Sequence, residues 1–158
     1  MAVLTLLNHF MPVYHFNEVH AITVRAGASR VFNAIEDATP AEAPLFRVLL
    51  LAEQADRELV LGSVGQFWKL VGGLSPMITN PQEFLGFDRP EYAKATLNFC
   101  LAELSDHTGV RLTTETRVYA TDPVAYRKFA VYWRLIRGGS ALVRREWLKA
   151  IRRRAEAQ

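Results

Sequence analysis

From residue 122 onward, apolar side chains return at steps of three and four. Ala125, Phe129, Tyr132, Ile136, Val143, Trp147 and Ala150 fall in one stripe with Ser140, and Trp133 and Ile151 lie beside it. That period belongs to a helix with one apolar face. Asp122-Pro123 marks its start, because Asp caps helices well and Pro lacks only an N–H that would be unpaired there anyway. The pattern predicts a helix over 122–156 that needs a large apolar partner. Gly138-Gly139 sits in the middle of the stripe, at a cost of about 1 kcal/mol per Gly relative to Ala. Either the pair permits a kink that fits the helix to its partner, or it allows another element's backbone to approach closely.

The partner is upstream, where the period changes from helical to alternating. In 16–26, Val19, Ala21, Thr23 and Arg25 oppose His20, Ile22, Val24 and Ala26, and Gly27 ends the strand. Val31, Ala34 and Ile35 then predict a short helix over 28–37, and Thr39-Pro40 predicts a second one running to about Ala52. Residues 59–71 read as a strand in which Gly62 and Gly65 imply a bulge or bend. Residues 77–87 read as a short strand or irregular pair limited by Pro76 and Pro81. In 92–104, Ala93, Ala95, Leu97, Phe99 and Leu101 oppose Lys94, Thr96, Asn98 and Cys100. After a turn at Asp106-His107-Thr108-Gly109, Val110, Leu112, Thr114, Thr116 and Val118 oppose Arg111, Glu115 and Arg117. One buried and one wet face per strand predict an antiparallel sheet. Residues 1–15 are a lead-in whose apolar side chains fold back on the body or onto a neighbour, and a swapped arm would make a homodimer.

A chain of 158 residues matches one domain, here 1–158, with a single substantial core. Its composition, 50% hydrophobic and 22% charged, excludes a disordered chain. No apolar run reaches the ~20 residues needed to span a bilayer, and the opening apolar stretch lacks the flanks of a signal peptide. The expected location is therefore cytoplasmic. Cys100 is the one cysteine, which leaves neither an internal disulfide nor a zinc thiol cluster, and it reads as a packing residue.

Charge is polarised along the chain. Residues 123–158 carry ten Lys/Arg against Glu146 and Glu156, a net of +8, whereas 1–122 carry nine basic and fourteen acidic residues, a net of −5, giving +3 overall. The terminal arginines suit the negative end of a helix dipole and read first as a solvated face. An anionic membrane surface or an acidic partner is the alternative. No nucleic-acid motif accompanies the charge, so no nucleic-acid partner is expected.

Several local segments resemble the START-like superfamily, also called SRPBCC. They are His20-Ala-Ile-Thr-Val-Arg-Ala26 with Val31-Phe32, Gly62-Ser-Val-Gly-Gln-Phe-Trp68, Thr114-Glu-Thr-Arg-Val118, and Phe129-Ala-Val-Tyr-Trp-Arg-Leu-Ile136 with Arg144. The likeness spans nearly the whole chain and looks like an uncharacterised bacterial branch of that group, which includes lipid-transfer domains and polyketide cyclases and dehydratases. It implies an α+β helix-grip fold, with a curved antiparallel sheet wrapped around a long C-terminal helix and two short helices after the first strand. It also implies a hydrophobic cavity between sheet and helix, without naming the occupant.

The residues expected to line that cavity are Phe67, Trp68, Phe84, Phe87, Leu97, Phe99, Leu112, Phe129, Tyr132, Trp133 and Ile136, although the same residues describe a filled core. The leading expectation is binding or transport of a small hydrophobic molecule, lipid or polyketide-like, without a cofactor. The alternatives are a cyclase or dehydratase in which His20, Tyr132 or Glu103 shuttles protons, and a module docking through its basic helix face. Glu18 and His20, with His15 near, have the chemistry of an acid/base pair, but the plainer reading is a surface ion pair. No third ligand stands at a spacing that would hold a metal. Glu115 and Arg117 are expected to pair across strands. Arg134, Arg137 and Arg144 are expected to be solvated, with anchoring of a carboxylate or phosphate as the alternative.

Overall fold

The computed structural model describes residues 5–42 and 48–157. The elements run α1 (Leu6–Phe10), β1 (Phe16–Val24), α2 (Ala28–Glu42), β2 (Leu49–Gln54), β3 (Glu58–Gly65), α3 (Pro81–Gly86), β4 (Ala93–Glu103), β5 (Val110–Ala120) and α4 (Pro123–Glu156). The five strands form one antiparallel sheet in the order β1-β5-β4-β3-β2. Its inner face holds α4 and α2. This is the helix-grip arrangement.

The cap on α4 forms as its sequence dictates, with Asp122 Oδ1 accepting from the Ala125 N–H at 2.7 Å. Oδ2 accepts from the Glu91 N–H at 2.9 Å, tying the helix start to the segment before β4. These N–H donors hold the Asp122 carboxyl below its usual pKa.

Three expectations are corrected. Among the described residues no new helix starts at Thr39-Pro40 and none reaches Ala52: α2 continues past Pro40 to Glu42, residues 43–47 lie outside the described residues, and 49–54 form the edge strand β2. A leucine-rich run has no strong preference of its own, and pairing with β3 decides it. The strand expected over 77–87 is replaced by α3, because Asn80 Oδ1 caps the Glu83 N–H at 2.9 Å and Pro81 takes the first helical position. The irregularity expected at Gly62 and Gly65 falls instead on β2, where the register shifts around Leu51. Gly62 is needed for another reason, since a Cβ there would stand 2.6 Å from Leu51 Cδ1 and 3.0 Å from Phe84.

The outer face of the sheet is not wet. Leu7, Phe10 and Met11 fold across it and, with Phe84 of α3, cover Leu51, Val60, Val64 and Tyr92. The described part of the lead-in therefore packs on its own sheet. Polar outer-face residues are buried beneath it with partners. The Glu58 carboxylate accepts from the Leu6 and Leu7 N–H groups, at 2.7 and 3.2 Å, and from Asn98 Nδ2 at 2.8 Å. Arg117 pairs with Glu115 along the same strand at 2.7 Å, not across strands, and donates to Asn8 Oδ1 and the Met11 carbonyl. Lys94 donates to the Leu85 carbonyl at 3.2 Å, and burial pushes its pKa down.

Candidate functional site

The inner face is filled at both ends and open between them. At one end α2 and the last turns of α4 bury Val31, Ile35, Trp147, Leu148 and Ile151 against Phe99, Leu101 and Leu112. At the other end Phe129 packs on Ala93 and Val118, with Phe16, Phe67, Trp68, Tyr132 and Trp133 around it. No α4 residue between Phe129 and Trp147 is buried, a span of roughly 27 Å at about 1.5 Å per residue. Over that span α4 keeps contacts with the sheet, among them Ser140 Oγ to the Glu18 carboxylate at 3.5 Å, yet none of its side chains is fully enclosed.

The gap is a cavity of about 560 Å³, within the roughly 300–1,000 Å³ of small-molecule sites. The sheet contributes Leu61, Ser63, Ala95, Leu97, Thr116 and Val118, the segment after β3 contributes Phe67, and α4 contributes residues from Phe129 to Trp147. Leu135 and Val143 are 80% and 59% exposed at its rim, so it opens to solvent along the helix. Gly139 also lines it. A Cβ at Gly138 or Gly139 would meet nothing within 4 Å, so close backbone approach does not explain the pair.

Of the expected cavity residues, Phe67, Leu97, Phe129, Tyr132, Trp133 and Ile136 come together on this wall. Phe84 and Phe87 do not, because both pack in the outer cluster on the other side of the sheet. Phe99 and Leu112 belong to the filled core beside the gap. Trp68 packs with the Phe129 cluster, and its buried Nε1 has no hydrogen-bond partner.

Polar side chains are spread along the wall, with Ser63, Thr116, Tyr132 and Ser140 as well as Arg144, and the cation stands near the Trp147 end. Arg144 and Trp147, one turn apart on α4, both line the cavity, and the guanidinium carbon stands 5.7 Å from the Trp147 ring centre. Arg144 Nε and Trp147 Nε1 are buried without a hydrogen-bond partner. Burial pushes the Arg144 pKa down, and the nearby Glu18 carboxylate opposes that shift. Sequence patterning had grouped Arg144 with Arg134 and Arg137, yet those two are exposed. Its position on the inner side of the helical wheel was the available signal.

Glu18 and His20 face inward from β1, not outward as a surface pair. Their side chains are 10% and 14% exposed and meet at 2.7 Å, and Glu18 also accepts from Ser140 Oγ at 3.5 Å. Register explains this, since His20 pairs with Thr114 and Glu18 with Thr116, both on the inner face of β5. Burial raises the Tyr132 pKa, keeping the phenol protonated at neutral pH. Glu103 is far from this region and pairs with exposed His107 at the β4–β5 turn. His15 lies at the other end of β5, where its Nδ1 accepts from the Ala120 N–H at 3.0 Å. Cys100 is half-buried, and desolvation and Glu58 raise its pKa, so its thiol is not activated. Among the described residues no group of three His, Cys, Asp or Glu is placed to hold a metal, and no helix is long and apolar enough to cross a membrane.

No protein-family profile and no curated protein matches the sequence. Solved structures do match the fold. Protein MLL2253 from Mesorhizobium loti is 11% identical with a TM-score of 0.53, over 90% of this chain and 98% of that one. Hypothetical protein jhp0584 from Helicobacter pylori is 12% identical with a TM-score of 0.52, over 99% of this chain and 98% of that one. The Zhui aromatase/cyclase from Streptomyces sp. R1128 is more distant, 14% identical with a TM-score of 0.40, over 90% of this chain and 96% of that one. At 11% and 12% identity the first two likenesses show a shared fold, the helix-grip architecture, and nothing beyond it.

Proposed function

We infer that this protein is a cytoplasmic binder or carrier of a small, mainly apolar molecule, lipid or polyketide-like, held between the sheet and α4. The observation that carries this reading is the interruption of the core. A helix of 34 residues is anchored at both ends and spans a cavity lined by Leu61, Leu97, Val118, Phe129, Trp133 and Ile136. Large apolar side chains left unpacked on one another forfeit dispersion contacts and stay partly hydrated, and an apolar guest recovers both. Native mass spectrometry of the purified protein tests this, followed by titration of the solvent-extracted protein with the neutral dye Nile red. A co-purifying species or saturable one-to-one dye uptake is expected. Absence of both would overturn the reading.

A cyclase or dehydratase-type enzyme is the second reading, and a specific observation favours keeping it. Such chemistry needs a titratable group in the cavity wall, and protonated Tyr132 and the Arg144 cation are both there. In this reading a base removes a proton from the carbon beside a substrate carbonyl, and the Tyr132 hydroxyl and the Arg144 guanidinium donate hydrogen bonds to the enolate oxygen that forms. Glu18–His20, linked to the wall through Ser140, is the nearby acid/base pair.

A further inference from the structure

Arg144 and Trp147 present a polar problem that the protein itself does not solve. Buried N–H donors are nearly always paired, and here two neighbouring ones are not. The nearest relevant carboxylate is already engaged, since Glu18 binds His20 and Ser140. No ion pair joins Arg144 to a carboxylate among the described residues. A guanidinium keeps its charge under all ordinary conditions, so half-buried Arg144, with its Nε enclosed, is a cation without a contacting anion.

We propose that the cavity selects molecules that end in a carboxylate, held by Arg144 and Trp147, with the apolar body lying toward Leu97, Trp133 and Phe129. This rests on the cavity-binding reading above and specifies its ligand class: fatty or arylalkanoic acids of modest size. A carboxylate brings two acceptor oxygens and one negative charge to a site with two orphaned donors and a cation that Glu18 offsets only from beyond contact. Charge-assisted bonds of this kind are shorter and stronger than neutral ones. An alcohol or a water molecule satisfies donors without neutralising the cation. A dianion such as an alkyl phosphate brings a second charge that the site does not match and that Glu18 repels.

The test is displacement of Nile red from the full chain by decanoate, 1-decanol and decyl phosphate, with wild type beside Arg144→Gln and Trp147→Phe. Decanoate is expected to bind about tenfold or more tighter than 1-decanol in wild type, with decyl phosphate weaker than decanoate. The acid-to-alcohol ratio should fall toward one in Arg144→Gln and by a smaller factor in Trp147→Phe, which keeps a ring and loses the N–H. Equal binding of acid and alcohol by wild type, or a preference that survives Arg144→Gln, would overturn the carboxylate assignment and leave the cavity reading standing. Tighter binding of decyl phosphate would reassign the site to phosphate monoesters. If Nile red and all three competitors fail to bind, both readings fall. The wild-type comparison decides the matter even if Arg144→Gln does not fold.

Discussion

Glu58 is buried and Arg144 is half-buried with its Nε enclosed, and the difference in their partners separates a structural residue from a candidate binding one. Glu58 is 3% exposed and has three donors, two of them backbone N–H groups at the start of α1. Its truncation leaves those donors unpaired, so Glu58→Ala should lower unfolding free energy in urea by about 2–4 kcal/mol. Amide exchange at Leu6 and Leu7 should accelerate first; unchanged exchange there would show that the carboxylate does not hold α1. His15 gives a pH prediction with a definite sign. Burial lowers its pKa below the ordinary 6.5, so the unfolded chain takes up this proton first as the pH falls. The associated stability is complete above about pH 6.5 and is lost as the pH drops through the lower folded-state value. His15→Asn keeps an acceptor near Nδ1 without titrating, so its urea midpoint should decline less than wild type between about pH 7.5 and about pH 5. Neither role was legible in the sequence, where His15 stands out only for its nearness to Glu18 and His20, because the partners of Glu58 lie 40 to 52 positions away and that of His15 lies 105 positions away.

Elements were legible where a local rule was strong. Asp122-Pro123 marks the start of α4; Asn80-Pro81 carries the same capping chemistry for α3, but the sequence reading of 77–87 as a short strand or irregular pair limited by Pro76 and Pro81 misses it. Alternation placed β1, β4 and β5 within two residues at either end. It could not place β2, whose strand state comes from pairing with β3, nor show that α1 and α3 cover the outer face. Glycine needs tertiary context as well. Gly62 sits under Leu51 and Phe84, so Gly62→Ala should destabilise by about 1–3 kcal/mol through overpacking. Gly138 faces open space, so Gly138→Ala should stabilise by about 1 kcal/mol. Thermal unfolding of both variants checks the contrast, and a destabilised Gly138→Ala would reveal a conformation that α4 needs its glycine to reach.

At the scale of the whole molecule, the curved sheet holds one layer on each face, packed tightly outside and incompletely inside. The apolar stripe of α4 was readable as a face needing a partner. What it could not reveal was that only its two ends find one, since a stripe over a cavity and a stripe over a core share one pattern. Arg144 was visible as one of three arginines with the chemistry to anchor a carboxylate or phosphate, but nothing in the pattern separates it from Arg134 and Arg137, because its enclosure depends on how α4 crosses β1 and β5. Gly139→Leu offers a direct test of the gap, because it projects a side chain into the cavity from a position where a Cβ meets nothing and it replaces a poor helix former with a good one. The decisive measurement is Nile red binding to this variant and to wild type, with thermal unfolding recorded in parallel. Saturable wild-type binding that weakens at least about tenfold in Gly139→Leu, with no loss of thermal stability, is the result expected if the space between sheet and helix is the binding site. Equal binding by the two proteins would place the dye elsewhere and contradict the account.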